Sequence, residues 1–213
     1  LAQQGLTRFS DARARLIMLG GYADPAAQIF AEWRDYDAAW QTVMSASLTE
    51  IGLGWEKADD GTWIFLAILT DRLHEFSGGE LAALERRTFD AVNREREKHG
   101  LPALPWNGAV AAVARAHSQD MAARHYFDHR APDGSLPQDR IVSAGLAFRH
   151  VAENISLNRG AADPAAATVQ GWMESPGHRK NILDPDFESS GLGVAVDDSG
   201  TILFTQMFFS PSP

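Results

Sequence analysis

Cysteine is absent from the 213 residues, so the chain has no disulfide framework and no thiolate chemistry. That absence leaves the compartment open, because a disulfide-free core folds on either side of a membrane. A basic excess is missing as well: 19 Lys+Arg against 28 Asp+Glu give a net charge of −9 and a pI near 5.2. Nucleic-acid backbones and anionic membranes both select a basic footprint, so neither is an expected partner. No apolar run approaches the roughly 18 residues of a membrane span. The longest, residues 63–69, is strand length. There is no His-Glu-x-x-His, no Walker loop and no full dinucleotide fingerprint. Gly191-Leu192-Gly193 lacks a third glycine and reads as strand scaffold. No Gly-x-Ser-x-Gly elbow accompanies Ser175, which argues against a serine hydrolase. The chain opens on Leu1, not on a methionine, which leads us to expect a processed or trimmed form from which any signal peptide is already gone.

What remains is 45% apolar and 22% charged, enough to pack a core. The length suits one generous domain, or one domain plus a fragment. An internal repeat organises it. Ala23-Asp24-Pro25-Ala26-Ala27 recurs as Ala162-Asp163-Pro164-Ala165-Ala166, a displacement of 139 residues. At the same displacement Trp33 falls on Trp172, Gly52-Leu53-Gly54 on Gly191-Leu192-Gly193, Asp59 on Asp198, Gly61-Thr62 on Gly200-Thr201 and Phe65 on Phe204. Each copy reads as a helix followed by a hairpin. Asp24 and Asp163 cap the helices, with Pro25 and Pro164 at the first helical position. Leu192, Val194 and Val196 alternate with small residues as a half-buried strand does. Asp197 to Gly200 make a turn, and residues 201–209 a second strand. The first copy repeats this with Ile51, Leu53 and Trp55, a turn at Asp59-Asp60-Gly61, and residues 62–69.

Between the copies, Ser77-Gly78-Gly79 reads as a linker and residues 80–99 as an amphipathic helix ended by Gly100. Asn107 caps a second helix with Val110, Val113, Ala114, His117 and Met121 on one face. A short third helix covers residues 136–144, closed by Gly145.

Polar residues that invite chemistry gather in three segments, residues 125–134, 151–156 and 171–183. His117 lies on an apolar helix face and reads as a hydrogen-bonded core histidine. His125 and His129 are four apart, but the residues after them end the helix, so His125 reads as surface and His129 as the site candidate. Glu153 sits between Val151 and Ile155. It either pairs with Arg140 or Arg149, or faces histidines across a cleft. Pro176-Gly177 breaks the helix, so Glu174 and His178 are not helical neighbours, and His178 is placed at a cleft rim. At the repeat's displacement Glu153 falls on Ala14, Glu174 on Asp35 and His178 on Ala39. The N-terminal copy therefore reads as a scaffold without the site.

These segments resemble the CAP superfamily of cysteine-rich secretory, antigen 5 and pathogenesis-related 1 proteins, in its disulfide-free bacterial branch. The carriers are Val92-Asn93-Arg94-Glu95-Arg96, His117-Ser118-Gln119-Asp120-Met121-Ala122, Tyr126-Phe127-Asp128-His129, Ala152-Glu153-Asn154-Ile155, residues 172–183 and the Gly191-Leu192-Gly193 hairpin. The resemblance implies an α+β fold, an α-β-α sandwich with a central antiparallel sheet between helical layers. It divides the chain into a degenerate C-terminal half of a CAP-like module (1–76), a linker (77–80) and a CAP domain (81–213). It implies a cleft of His129, Glu153, Glu174 and His178, with His129 and His178 as ligands for a divalent metal such as zinc. It also implies an extracellular or periplasmic protein. Three functions stay open on this reading. One is a module that binds a lipid, peptide or envelope-derived ligand in the cleft, directly or through a metal; the second is a divalent-metal-dependent hydrolase, a peptidase, using the same residues; the third is an interaction scaffold whose site is vestigial.

Overall fold

The computed structural model describes residues 9–19, 31, 34–35, 50–72 and 74–213. It divides into two compact units, Leu1–His74 and Glu75–Pro213. The second unit opens with a reciprocal cap. The Ser77 side chain accepts from the Glu80 N–H, and the Glu80 carboxylate accepts from the Ser77 N–H. This capping box satisfies two donors that a helix start would otherwise leave unpaired. Helix α1 therefore runs Gly78–Lys98. The expected linker at 77–80 is corrected to cap and first turn, the cap outweighing the poor helix propensity of Gly78 and Gly79.

Asn107 caps α2 (Gly108–Arg124) by accepting from the Ala109 and Val110 amides. The helix ends on His125, which adopts the left-handed conformation at φ 53°. Helix α3 (Pro137–Ser143) follows, with Asp139 accepting from the Leu136 N–H. In the second repeat copy, Asp163 caps α4 (Pro164–Glu174), and Pro164 sits in its first turn as expected. Ser175 is extended and separates α4 from α5 (Pro176–Ile182), so His178 lies in the first turn of α5. The new helix starts at Pro176, because proline fits the first helical position.

The sheet of this unit contains β4 (Phe148–Asn158), β5 (Ser189–Val196) and β6 (Ile202–Pro211). All pairings are antiparallel, in the order β4-β6-β5. Helices α1, α4 and α5 cover one face, where Leu84, Val92, Val169, Trp172 and Ile182 pack on Leu192, Val194, Phe204 and Phe208. Helix α2 covers the other, with Val110, Val113 and Ala114 against Met207 and Phe209. This is the α-β-α sandwich that the resemblance implies.

Strand β5 is not half-buried as its alternation suggested. Both of its faces are covered, and its small residues face α2, not solvent. A Cβ at Gly191 would overlap the backbone of Ala111, and one at Gly193 the backbone of Arg115. Glycine is what lets α2 lie so close to the sheet.

Buried polar links fix the helices. The Arg96 side chain is buried and donates to the carbonyls of Pro102 (3.0 Å), Ile182 (2.7 Å) and Asp184 (2.8 Å), tying α1 to the end of α5. Asn93 makes a two-way bond with the Leu104 backbone. Glu85 accepts both guanidinium bonds of Arg115 at 2.7 and 2.6 Å, and also the Val194 N–H.

The first unit holds β1 (Phe9–Leu19), β2 (Glu50–Lys57) and β3 (Trp63–Arg72), antiparallel in the order β1-β3-β2. Every strand bound stands 139 residues before its counterpart in β4, β5 and β6. The registers coincide as well. Leu19 opposes Trp63 as Asn158 opposes Ile202, and the irregularity between Phe9 and Asp11 recurs between Phe148 and His150. The helix start expected at Asp24-Pro25, along with Trp33 and Ala39, lies outside the described residues. Ala31, Arg34 and Asp35 are helical.

Candidate functional site

Strand β4 carries Glu153 into the sandwich with its side chain only 1% exposed. A carboxylate at that depth needs partners for its charge. It has two. His129 Nδ1 donates to Oε1 at 2.8 Å, and Arg140 Nη2 donates to Oε2 at 2.7 Å. The two readings of Glu153 are thus both realised: it pairs with Arg140 and also faces a histidine. His129 stands on the loop after α2, and its side chain is 45% exposed. Arg140 comes from α3 and also holds the loop, donating to the carbonyls of His129 (3.1 Å) and Ser135 (3.3 Å).

His178 enters from α5. Asn154 Nδ2 donates to its carbonyl at 3.1 Å, while Asn181 Nδ2 donates to Asn154 Oδ1 (2.8 Å) and to the Glu153 carbonyl (3.3 Å). Neighbouring residues of the Glu153 and His178 segments are therefore stitched together, and α5 is fixed over β4. Trp172 Nε1 donates to the Ile155 carbonyl at 3.0 Å and anchors α4 to the same strand.

The histidines titrate in opposite directions. Its hydrogen bond to Glu153 raises the His129 pKa above the ordinary value, against the pull of burial. Burial lowers that of His178, and the His129 charge lowers it further. His117 is fully buried behind them, its Nε2 3.1 Å from the Asp128 carbonyl and 3.9 Å from Glu153 Oε1. Burial lowers its pKa, so it is the core histidine expected. Tyr126 lies beside it, donating from its hydroxyl to Asp120 Oδ2 at 2.6 Å. A hollow of 680 Å³ between α2 and α3 shares His117 and Arg140 with this network but is not lined by His129 or His178.

Glu174 is the expected member that falls elsewhere. Its carboxylate accepts from Gln170 Nε2 at 2.9 Å, one helical turn back, and it lines a separate hollow with Glu95 and Arg179. Ser175 is extended, which ends α4 and leaves Glu174 on its outer side. The residue that fills out the network is Arg140, a cation where a second acid was expected. Arg140 was legible only as an ordinary ion-pair partner, because nothing in the sequence tells a guanidinium inside a cleft from one on a surface.

The metal expectation can be tested against this donor set. A zinc site draws on imidazole and carboxylate lone pairs, usually at least three from protein. Here both Glu153 oxygens are engaged, His129 Nδ1 faces the carboxylate, and Arg140 sets a positive charge beside them. The lone pairs left at this place are those of His129 Nε2 and the His178 ring. Two imidazoles fall short of the three protein ligands usual for zinc, although the Glu153 bond to His129 Nδ1 is of the kind that orients a ligating histidine. Among the described residues, a group of three with possible ligand atoms within 4.8 Å of one another is His125, Asp197 and Asp198. It lies where the end of α2 meets the β5–β6 turn, and one Asp197 oxygen already serves that turn through Ser199 and Thr201.

The order of these elements has a counterpart among known proteins. The family model of the cysteine-rich secretory protein family, CAP, matches residues 89–208, more than half of the chain. The chain belongs to the CAP family. It is 40% identical over 128 residues to the uncharacterized protein YkwD of Bacillus subtilis, covering 60% of this chain and 48% of that protein. It is 39% identical over 110 residues to the uncharacterized membrane protein YlbC of the same organism, covering 52% of this chain and 31% of that one. The chain thus spans less than half the length of each of these curated relatives. An extracellular SCP-domain protein of Bacillus anthracis superposes with a TM-score of 0.56 at 22% identity, over 82% of this chain and 70% of its own. An outer surface protein of Borrelia burgdorferi superposes at 0.58 with 17% identity, over 65% and 98%. At those identities the two structures speak for the CAP fold alone. Among the described residues, no helix is long and apolar enough to cross a membrane.

Proposed function

We propose that the CAP domain is an extracellular or periplasmic binding module whose cleft takes an anionic group of an envelope-derived lipid or peptide on His129. The observation that carries this reading is the closed pairing of Glu153. With one oxygen on His129 and the other on Arg140, the buried carboxylate is neither a free general base nor a free metal ligand. That weighs against the peptidase reading. What the pairing leaves is a half-exposed imidazole held protonated to higher pH than usual, with Nε2 directed away from its carboxylate partner. A protonated Nε2–H donates a charge-assisted hydrogen bond to a carboxylate or phosphate. Arg140 keeps the local charge from turning negative. The exported location agrees with that of the Bacillus anthracis neighbour, an extracellular protein.

Histidine-selective NMR, with acetate and inorganic phosphate as probes, tests this. The His129 ring signals move saturably, and the affinity weakens as pH rises through the His129 midpoint. No movement, or the same protein response in a His129→Ala variant, rejects the site.

For the first unit we propose the degenerate C-terminal half of a CAP-like module, bounded near residue 76. Its support is the common displacement of three strands, two registers and one irregularity. Ala14 stands where Glu153 stands in the second unit, so this copy has no acid at the site position.

A further inference from the structure

In the second unit, Gly191 and Gly193 exist to let the α2 backbone approach, and α2 buries Thr205 and Met207 beside them. The counterparts in the first unit are Gly52, Gly54, Leu66 and Ile68, and the registers put all four on one face. Gly52 opposes Ile68, and Gly54 opposes Leu66. That face is open among the described residues. Among the described residues nothing comes within 4 Å of a Cβ at Gly54, and at Gly52 the Ile68 carbonyl alone does, at 3.9 Å. Leu66 is 39% and Ile68 37% exposed. Two glycines weaken a strand unless something approaches them closely. An exposed apolar face with a glycine groove fits a close-packing helix.

The differences between the copies define that helix. Leu66 replaces Thr205, whose hydroxyl is bonded by Ser118 Oγ of α2 at 2.9 Å. The first unit thus asks for an apolar side chain at the Ser118 place. Glu56 replaces Ala195, which packs with Met121 and Ala122 of α2. Glu56 is exposed, so a basic residue at the Ala122 place complements it in charge.

We propose that the Gly52/Gly54 face is a docking groove for a helix of a separate partner protein. The helix is α2-like: small residues at two positions four apart over the glycines, an apolar residue at the Ser118 place and a Lys or Arg at the Ala122 place. This rests on the half-module reading of the first unit. The α2 of a second copy is a poor occupant, because leaving its own sheet would bare Gly191 and Gly193.

The probe is a fluorescent peptide of residues 108–124 carrying Ser118→Leu and Ala122→Lys, titrated into the full chain by anisotropy. It binds saturably, and Gly54→Val, which fills the groove, weakens it by about tenfold or more. Glu56→Lys weakens the Lys-bearing peptide and leaves a peptide with the original Ala122 unaffected. No saturable binding, or binding indifferent to Gly54→Val, overturns the proposal. So does a dimer in sedimentation that Gly54→Val abolishes, which would make a second copy the occupant. Amide exchange in the free chain separates the underlying reading. Protected β2 and β3 amides without peptide binding sink only the groove, whereas unprotected amides sink the half module.

Discussion

Replacing Arg140 with Met should destabilise the CAP domain more than replacing Glu153 with Gln, and the two losses should not add. In the Arg140→Met variant, Glu153 remains 1% exposed with His129 as its sole remaining side-chain partner at hydrogen-bond distance. Removing one member of a buried ion pair costs about 3–5 kcal/mol, because the other charge stays desolvated. In the Glu153→Gln variant, Arg140 keeps two carbonyl acceptors, those of His129 and Ser135. A charged hydrogen bond is then the main loss, about 1.5–3 kcal/mol. The double variant buries neither charge unpaired, so its loss should fall short of the sum by about 1 kcal/mol or more. Urea unfolding followed by tryptophan fluorescence at pH 7 gives all four corners of the cycle, with Trp172 in the core of the CAP domain as reporter. Single losses that add to within about 0.5 kcal/mol would refute the closed pairing.

Further outcomes follow from the same geometry. NMR titration should place the His129 midpoint above the ordinary histidine value and those of His178 and His117 below it; His129→Gln should move the His178 midpoint back up, since part of its depression is the His129 charge. The sign of the pH dependence differs between the histidines. A raised folded pKa stabilises fully below the unfolded value, near 6.5, and that contribution is lost as pH rises through the folded midpoint. His129→Gln should therefore flatten the alkaline side of a stability–pH curve measured by urea midpoints. His117 has a lowered folded pKa, so the unfolded chain takes up the proton first and stability falls as pH drops below about 6.5. His117→Gln should flatten that acid side. Finally, Gly193→Ala should cost more than about 4 kcal/mol or prevent folding, since its Cβ meets the Arg115 backbone, whereas the matched Gly54→Ala should be neutral or stabilising by up to about 1 kcal/mol. Thermal melts of the two variants side by side decide this.

Much of the fold is written locally. Asn107 and Asp163 announce helix starts through their caps, Pro164 and Pro176 mark first turns, and the Asp197–Gly200 turn marks a hairpin. The repeat announced the shared sheet, because Gly-Leu-Gly and the turn residues serve the backbone and keep their spacing. Burial was less legible. In β5 the alternation of large and small residues suggested one wet face, yet the small ones accommodate a helix backbone. The glycines at 78 and 79 suggested a linker because a capping box is a pairwise effect that composition conceals. At the site, His129, Glu153 and His178 were singled out because histidine and glutamate beside turn residues stand out in an alanine-rich chain. Arg140 was legible only as one of two ion-pair candidates for Glu153, and Glu174 entered through the family resemblance, because neither side chain's direction is encoded locally. Direction came from Ser175, whose extended backbone turns α5 away from α4.

Calorimetric zinc titration of metal-stripped protein, beside a His129→Ala/His178→Ala variant, tests the central claim most directly. A cleft closed by Arg140 predicts the same zinc isotherm for both proteins, with any heat arising elsewhere, such as at His125, Asp197 and Asp198. One equivalent of zinc taken up by the parent and lost in the double variant would contradict the account. It would mean that His129 Nε2 and the His178 ring hold the metal while Glu153 orients His129, and would restore the metal-dependent reading of the cleft.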